Sequence, residues 1–140
     1  MDCLIFSGGD FLDPNWHYQQ IKEGDYLIAA DKGAEYILAL GYLPNVVIGD
    51  LDSIDVQIKK ELVAKGVELK ISPKEKNETD TELALLYALS LKPSSITLFA
   101  ATGDRLDHFL ANIFALTKYL TKGIPIYFKT PKQTLWVTDR

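Results

Sequence analysis

The sequence predicts an α/β domain built on a mainly parallel sheet with helices on both faces. Short apolar runs alternate with longer stretches of helical periodicity, the order that produces strand-helix-strand units. The runs are continuous, as in Leu4-Ile5-Phe6 and Val46-Val47-Ile48, which suits strands covered on both sides. Polar and acidic clusters follow where several runs stop, and open α/β sheets bind ligands beyond the carboxyl ends of their strands.

Strands are expected over 2–6, 26–30, 45–48, 68–71, 96–100 and 125–129, and helices over 15–20, 32–40, 56–65, 79–91 and 106–120. The helix at 79–91 carries apolar Leu83, Leu86, Tyr87 and Leu89, and Thr79 with Glu82 has the capping-box spacing. The helix at 106–120 repeats through Leu110, Ile113, Phe114 and Leu120. Gly41 and Gly66 fall just past expected helix ends, where positive φ is often needed. The run at 134–137 begins another strand, and the chain is expected to continue beyond Arg140.

With 140 residues, 47% of them hydrophobic, one domain could bury roughly two-thirds of its unfolded surface. A net charge of −4 offers no diffuse basic surface, so no nucleic-acid partner is expected. The single cysteine, Cys3, rules out a disulfide framework within the chain and points to a reducing, cytoplasmic setting. Nothing in the sequence resembles a signal peptide or a membrane span.

Three clusters carry the chemistry. Gly49-Asp50-Leu51-Asp52-Ser53 follows one strand, Thr79-Asp80-Thr81-Glu82 opens a helix, and Asp104-Arg105-Leu106-Asp107-His108 follows another strand. Crowded carboxylates raise one another's pKa unless a cation lies between them, and hard oxygen ligands suit Mg2+ shared with phosphates. Asp50 and Asp52, two apart at an extended strand end, would share one side, and Asp80 would complete the shell. A turn with an N-cap explains one acid of the first pair but not both, whereas Asp80 alone is explained by capping. Gly103 and Arg105 open a helix after a strand, a geometry that receives an anion, and arginine supplies a planar fork for phosphate oxygens. Ser7-Gly8-Gly9 and Asp31-Lys32-Gly33 fall on the same expected edge, and the polar loop containing Lys74, Lys76 and Asn77 could cover a ligand. Lys74 is as well explained by a solvated loop, and His108 by a helix surface. His17, Trp16 and Trp136 read as packing or surface residues.

These motifs, in this order and spacing, resemble the N-terminal catalytic domain of bacterial-type thiamine pyrophosphokinases. Gly-Asp-Leu-Asp-Ser-Ile at 49–54, Thr-Asp-Thr-Glu-Leu-Ala at 79–84 and Arg-Leu-Asp-His-x-Leu-Ala-Asn at 105–112 carry the resemblance, which spans nearly the whole chain. It implies a Rossmann-like, doubly wound ATP- and Mg2+-binding catalytic domain over 1–130. Residues 131–140 would then start a C-terminal β-rich, thiamine-binding domain absent from this chain, and the full-length protein would be a homodimer. It implies transfer of a pyrophosphoryl group from ATP to thiamine, giving thiamine diphosphate and AMP, with little activity from this chain alone. Mg2+ would sit on Asp50, Asp52 and Asp80. Phosphates would lie near Gly8, Gly9, Asn77, Thr79 and Arg105, with Lys76 and Gly103 beside them. Asp31, Gly33, Asp107 and His108 would line the nucleotide or thiamine end. Two positions depart from the family pattern: Asp104 and Ala100 stand where relatives often carry glycine. The rival readings are a metal-dependent phosphohydrolase or nucleotide-sugar transferase using Asp50 and Asp52, and a non-catalytic nucleotide-binding or dimerisation module.

Overall fold

The computed structural model describes residues 1–49, 52, 54–71, 79–101 and 123–137. The helix expected at 106–120 lies outside them. In chain order the elements are β1 (Asp2–Phe6), α1 (Pro14–Gln20), β2 (Tyr26–Ala30), α2 (Gly33–Ala39), β3 (Val46–Gly49) and α3 (Val56–Ala64). They continue with β4 (Glu68–Ile71), α4 (Asp80–Ser90), β5 (Ser95–Phe99), β6 (Ile126–Lys129) and β7 (Thr134–Val137).

These strands form one mixed sheet in the order β4-β3-β2-β1-β5-β6-β7. The pairings from β4 across to β6 are parallel, and β7 joins β6 antiparallel, with Tyr127 opposite Trp136. Successive strand side chains point to opposite faces, and the core divides accordingly. Cys3, Ile5, Ile28, Ala30, Val46, Ile48, Ile96 and Leu98 pack with Ala84, Leu85 and Ala88 of α4. Leu4, Phe6, Leu27, Ala29, Val47 and Phe99 pack with Ala34 and Ile37 of α2, Leu62 of α3 and Trp16 of α1.

Handedness explains why α4 takes the other face. The crossovers through α1, α2 and α3 each step one strand outward from β1 towards β4. The connection through α4 then returns across the sheet to β5, on the far side of β1. Because parallel crossovers are right-handed, reversing the direction of travel moves the connecting helix to the opposite face. Strand order therefore reverses between β1 and β5.

Local signals fix the helix starts. Asp13 caps α1 by accepting from the Trp16 amide, with Pro14 in the first turn. Asp55 caps α3 by accepting from the Gln57 amide at 2.8 Å. Thr79 caps α4 by accepting from the Glu82 amide at 3.1 Å, an arrangement that contributes about 1 kcal/mol. His17 is buried among aromatic rings, 4.6 Å from Phe11 and 4.8 Å from Trp16 between centroids, and its Nδ1 is 3.0 Å from the Asp13 carbonyl oxygen. Trp136 is exposed on β7. No helix of the described residues is long and apolar enough to cross a membrane.

Candidate functional site

The carboxyl edge gathers the ends of β1, β2, β3 and β5 with the amino end of α4. Beyond β1, the Ser7 amide donates to the Phe99 carbonyl at 2.9 Å and the Gly9 amide to the Ala100 carbonyl at 2.7 Å. The loop after β1 is thereby fastened to the end of β5, at the point where strand order reverses. The Ser7 hydroxyl, nearly fully buried, is 2.9 Å from the Thr81 hydroxyl. That bond brings the first turn of α4, with Asp80, to the same place.

Two glycines are required by close approach. A Cβ on Gly33 would overlap the Phe6 carbonyl oxygen, so α2 can begin tight against the end of β1 only without a side chain there. Gly49 has φ of 145°, and a Cβ on it would fall on the Asp31 carboxylate. Asp31 itself has φ of 49°, and its amide donates to the Ile48 carbonyl at 3.0 Å. The left-handed turn costs an aspartate less than most residues. Its carboxylate consequently lies against the end of β3, immediately before Asp50. Gly8 is similarly close to the next strand end, with the Lys32 Cβ 3.3 Å from where a Gly8 Cβ would stand.

Of the expected site residues, Gly8, Gly9, Asp31, Gly33, Thr79 and Asp80 are found at this edge, and Asp52 lies just past β3. Asp52 is in a turn rather than on an extended strand end, because β3 stops at Gly49, whose positive φ takes the chain out of the ladder. Asp50, Lys76, Asn77, Gly103, Arg105, Asp107 and His108 lie outside the described residues. Among the described residues no group of three His, Cys, Asp or Glu side chains forms a metal cluster. Asp52 and Asp80, the described members of the expected Mg2+ set, supply hard oxygen donors, the type that fits a divalent cation shared with phosphate. Asp80 and Glu82 both sit in the first turn of α4, where the helix dipole stabilises a carboxylate by about 0.3–1 kcal/mol.

Sequence reasoning did not pair Ser7 with Thr81, or Asp31 with Gly49. It also passed over Tyr36, whose hydroxyl donates to the Gly9 carbonyl at 2.8 Å. The glycine in each loop was the available signal for close approach. Tyr36 sits in an ordinary helical pattern and gave none.

Fold and edge together define an open α/β domain whose strand order reverses between β1 and β5. The sequence comparison is more specific: the family model described as thiamin pyrophosphokinase, catalytic domain, matches residues 18–128, and the chain belongs to that family. It is 39% identical over 99 residues to the thiamine pyrophosphokinase of Bacillus subtilis (strain 168), covering 71% of this chain and 46% of that protein. Among solved structures, thiamine pyrophosphokinase from Bacillus subtilis superposes with a TM-score of 0.78 at 32% identity, covering 92% of this chain and 60% of that one. The enzyme from Geobacillus thermodenitrificans gives 0.74 at 33% identity, covering 92% and 59%. Yeast thiamin pyrophosphokinase shares the fold, with a TM-score of 0.69 at 17% identity, covering 93% of this chain and 58% of that one. The chain thus spans about half the length of the curated relative and about three-fifths of the solved ones.

Proposed function

We propose that this chain is the ATP-binding catalytic part of a thiamine pyrophosphokinase, which transfers the terminal pyrophosphoryl group of ATP to thiamine. The thiamine hydroxyl oxygen bonds to the β-phosphorus, the bond from that phosphorus to the oxygen bridging the α-phosphorus breaks, AMP leaves, and the hydroxyl proton is released. The observation that carries this reading is the Ser7–Thr81 hydrogen bond, which draws the α4 carboxylate turn onto the glycine loop at the strand reversal. Within that reading the layering is Rossmann-like and doubly wound, residues 1–130 are the catalytic domain, and 131–140 lead into a β-rich thiamine-binding part. The longer protein is a cytoplasmic homodimer.

Asp50, Asp52 and Asp80 would hold Mg2+, which when bound neutralises phosphate charge and orients the pyrophosphoryl group. Gly8 and Gly9 allow phosphates close to the backbone, and Thr79, Asn77, Lys76 and Gly103 border them. Arg105 binds phosphate oxygens through its two-pronged guanidinium. Asp31 and Gly33 shape the cleft beside β3, with Asp107 and His108 towards the nucleotide or thiamine end. Positioning and charge neutralisation carry most of the acceleration in such transfers.

The test is AMP formation from ATP with and without thiamine, using this chain and a protein of its relatives' full length. The reading expects thiamine-dependent AMP from the longer protein and little from this chain, which spans about three-fifths of its solved relatives' length. Equal AMP production without thiamine would refute it.

A further inference from the structure

We propose that Tyr36 is a positioning residue for ATP, acting through the glycine loop; this rests on the reading of that loop as part of the ATP site. The loop after β1 is held from two sides. On one, the Gly9 amide donates to Ala100 at the end of β5. On the other, the Tyr36 hydroxyl donates to the Gly9 carbonyl at 2.8 Å. The Tyr36 ring also stacks on Phe11, with centroids 4.4 Å apart and planes 5° from parallel. Phe11 in turn packs against buried His17.

A trans peptide points its carbonyl and its following amide in opposite directions. Fixing the Gly9 carbonyl towards α2 therefore fixes the Asp10 amide away from it, and Gly9, which has no side chain, would otherwise leave this peptide freer to rotate. The Tyr36 hydroxyl is the group that selects one orientation. Burial, followed by the charges of Glu35 and Asp10, holds its pKa above the ordinary tyrosine value, so it remains a donor through neutral pH. Phe11 stacking holds the ring but does not select the peptide orientation, so the two roles separate in a single substitution.

Tyr36→Phe keeps the ring and its stack and removes only the hydroxyl. Calorimetric titration of this chain with Mg-ATP should show affinity weakened about three- to ten-fold, the value of one hydrogen bond. Hydrogen exchange at the Asp10 and Phe11 amides should speed up while exchange in β1 and α2 is unchanged. In the longer protein KM for ATP should rise by the same factor, with kcat within about two-fold. Unchanged Mg-ATP affinity in Tyr36→Phe, with the unsubstituted chain binding normally, would overturn the inference alone. Failure of the unsubstituted chain to bind Mg-ATP would overturn the ATP-site reading and the inference with it.

Discussion

Ser7 Oγ lies 2.9 Å from Thr81 Oγ1, joining the end of β1 to the first turn of α4 across 74 positions of sequence. Ser7 is nearly fully buried, so removing one hydroxyl strands the other in a poorly hydrated place. Ser7→Ala and Thr81→Val should each cost about 0.5–1.5 kcal/mol, and the double variant should lose clearly less than their sum. Urea denaturation of the four proteins measures this. Strictly additive losses would mean that the two hydroxyls do not interact.

Ala100 has φ of 54°, a conformation that glycine adopts freely and that costs an L-residue about 1–2 kcal/mol. Its carbonyl accepts the Gly9 amide, so the turn is held by the site rather than by local preference. Ala100→Gly should keep the bond and stabilise the protein, by about 0.5–1 kcal/mol after the entropy glycine adds to the unfolded chain. A lower melting temperature for the variant would contradict the strain.

Gly33→Ala should be among the most damaging single substitutions in the chain. The added methyl would meet the Phe6 carbonyl oxygen and lie 3.3 Å from the Phe6 Cβ. Both belong to a central strand that cannot move cheaply, so the cost should reach about 3 kcal/mol or more. Denaturant midpoints within error of the unsubstituted protein would show that α2 does not approach β1 so closely.

His17 gives a pH dependence of known sign. Burial among aromatic rings lowers its pKa below the ordinary 6.5, so the folded protein keeps the ring neutral after the unfolded chain has begun to protonate. As pH falls below about 6.5 the unfolded state binds more protons, and stability must decline. The decline levels off once pH is below the folded pKa. His17→Phe should flatten this slope between pH 7 and 5. Parallel stability curves for the two proteins would remove His17 from the account.

Much of this architecture could be read locally. β1, β2, β4 and β7 fall where apolar runs place them, and Thr79 caps α4 because its partner amide is three residues away. The departures have physical causes. β5 ends at Phe99 because Ala100 turns left-handed, which an apolar residue does not announce. β3 extends to Gly49 because its backbone continues the ladder opposite Ile71 before positive φ turns it away. At the site, Gly8, Gly33, Asp31 and Asp80 were legible as motif residues at strand and helix ends. The contacts that organise them, Ser7 with Thr81 and Tyr36 with Gly9, join distant elements and leave no periodic trace.

The proposed transfer is tested most directly with ATP labelled at the β-phosphorus, supplied with Mg2+ and thiamine to a protein of full relative length. Label should appear in thiamine diphosphate, with one AMP per labelled product and none without thiamine. Asp52→Asn and Asp80→Asn, each lacking one anionic donor, should weaken Mg-ATP binding roughly ten- to a hundred-fold while still folding. Release of the γ-phosphate as inorganic phosphate in the absence of thiamine, with the β-label left in ADP, would contradict the account and indicate a phosphohydrolase instead.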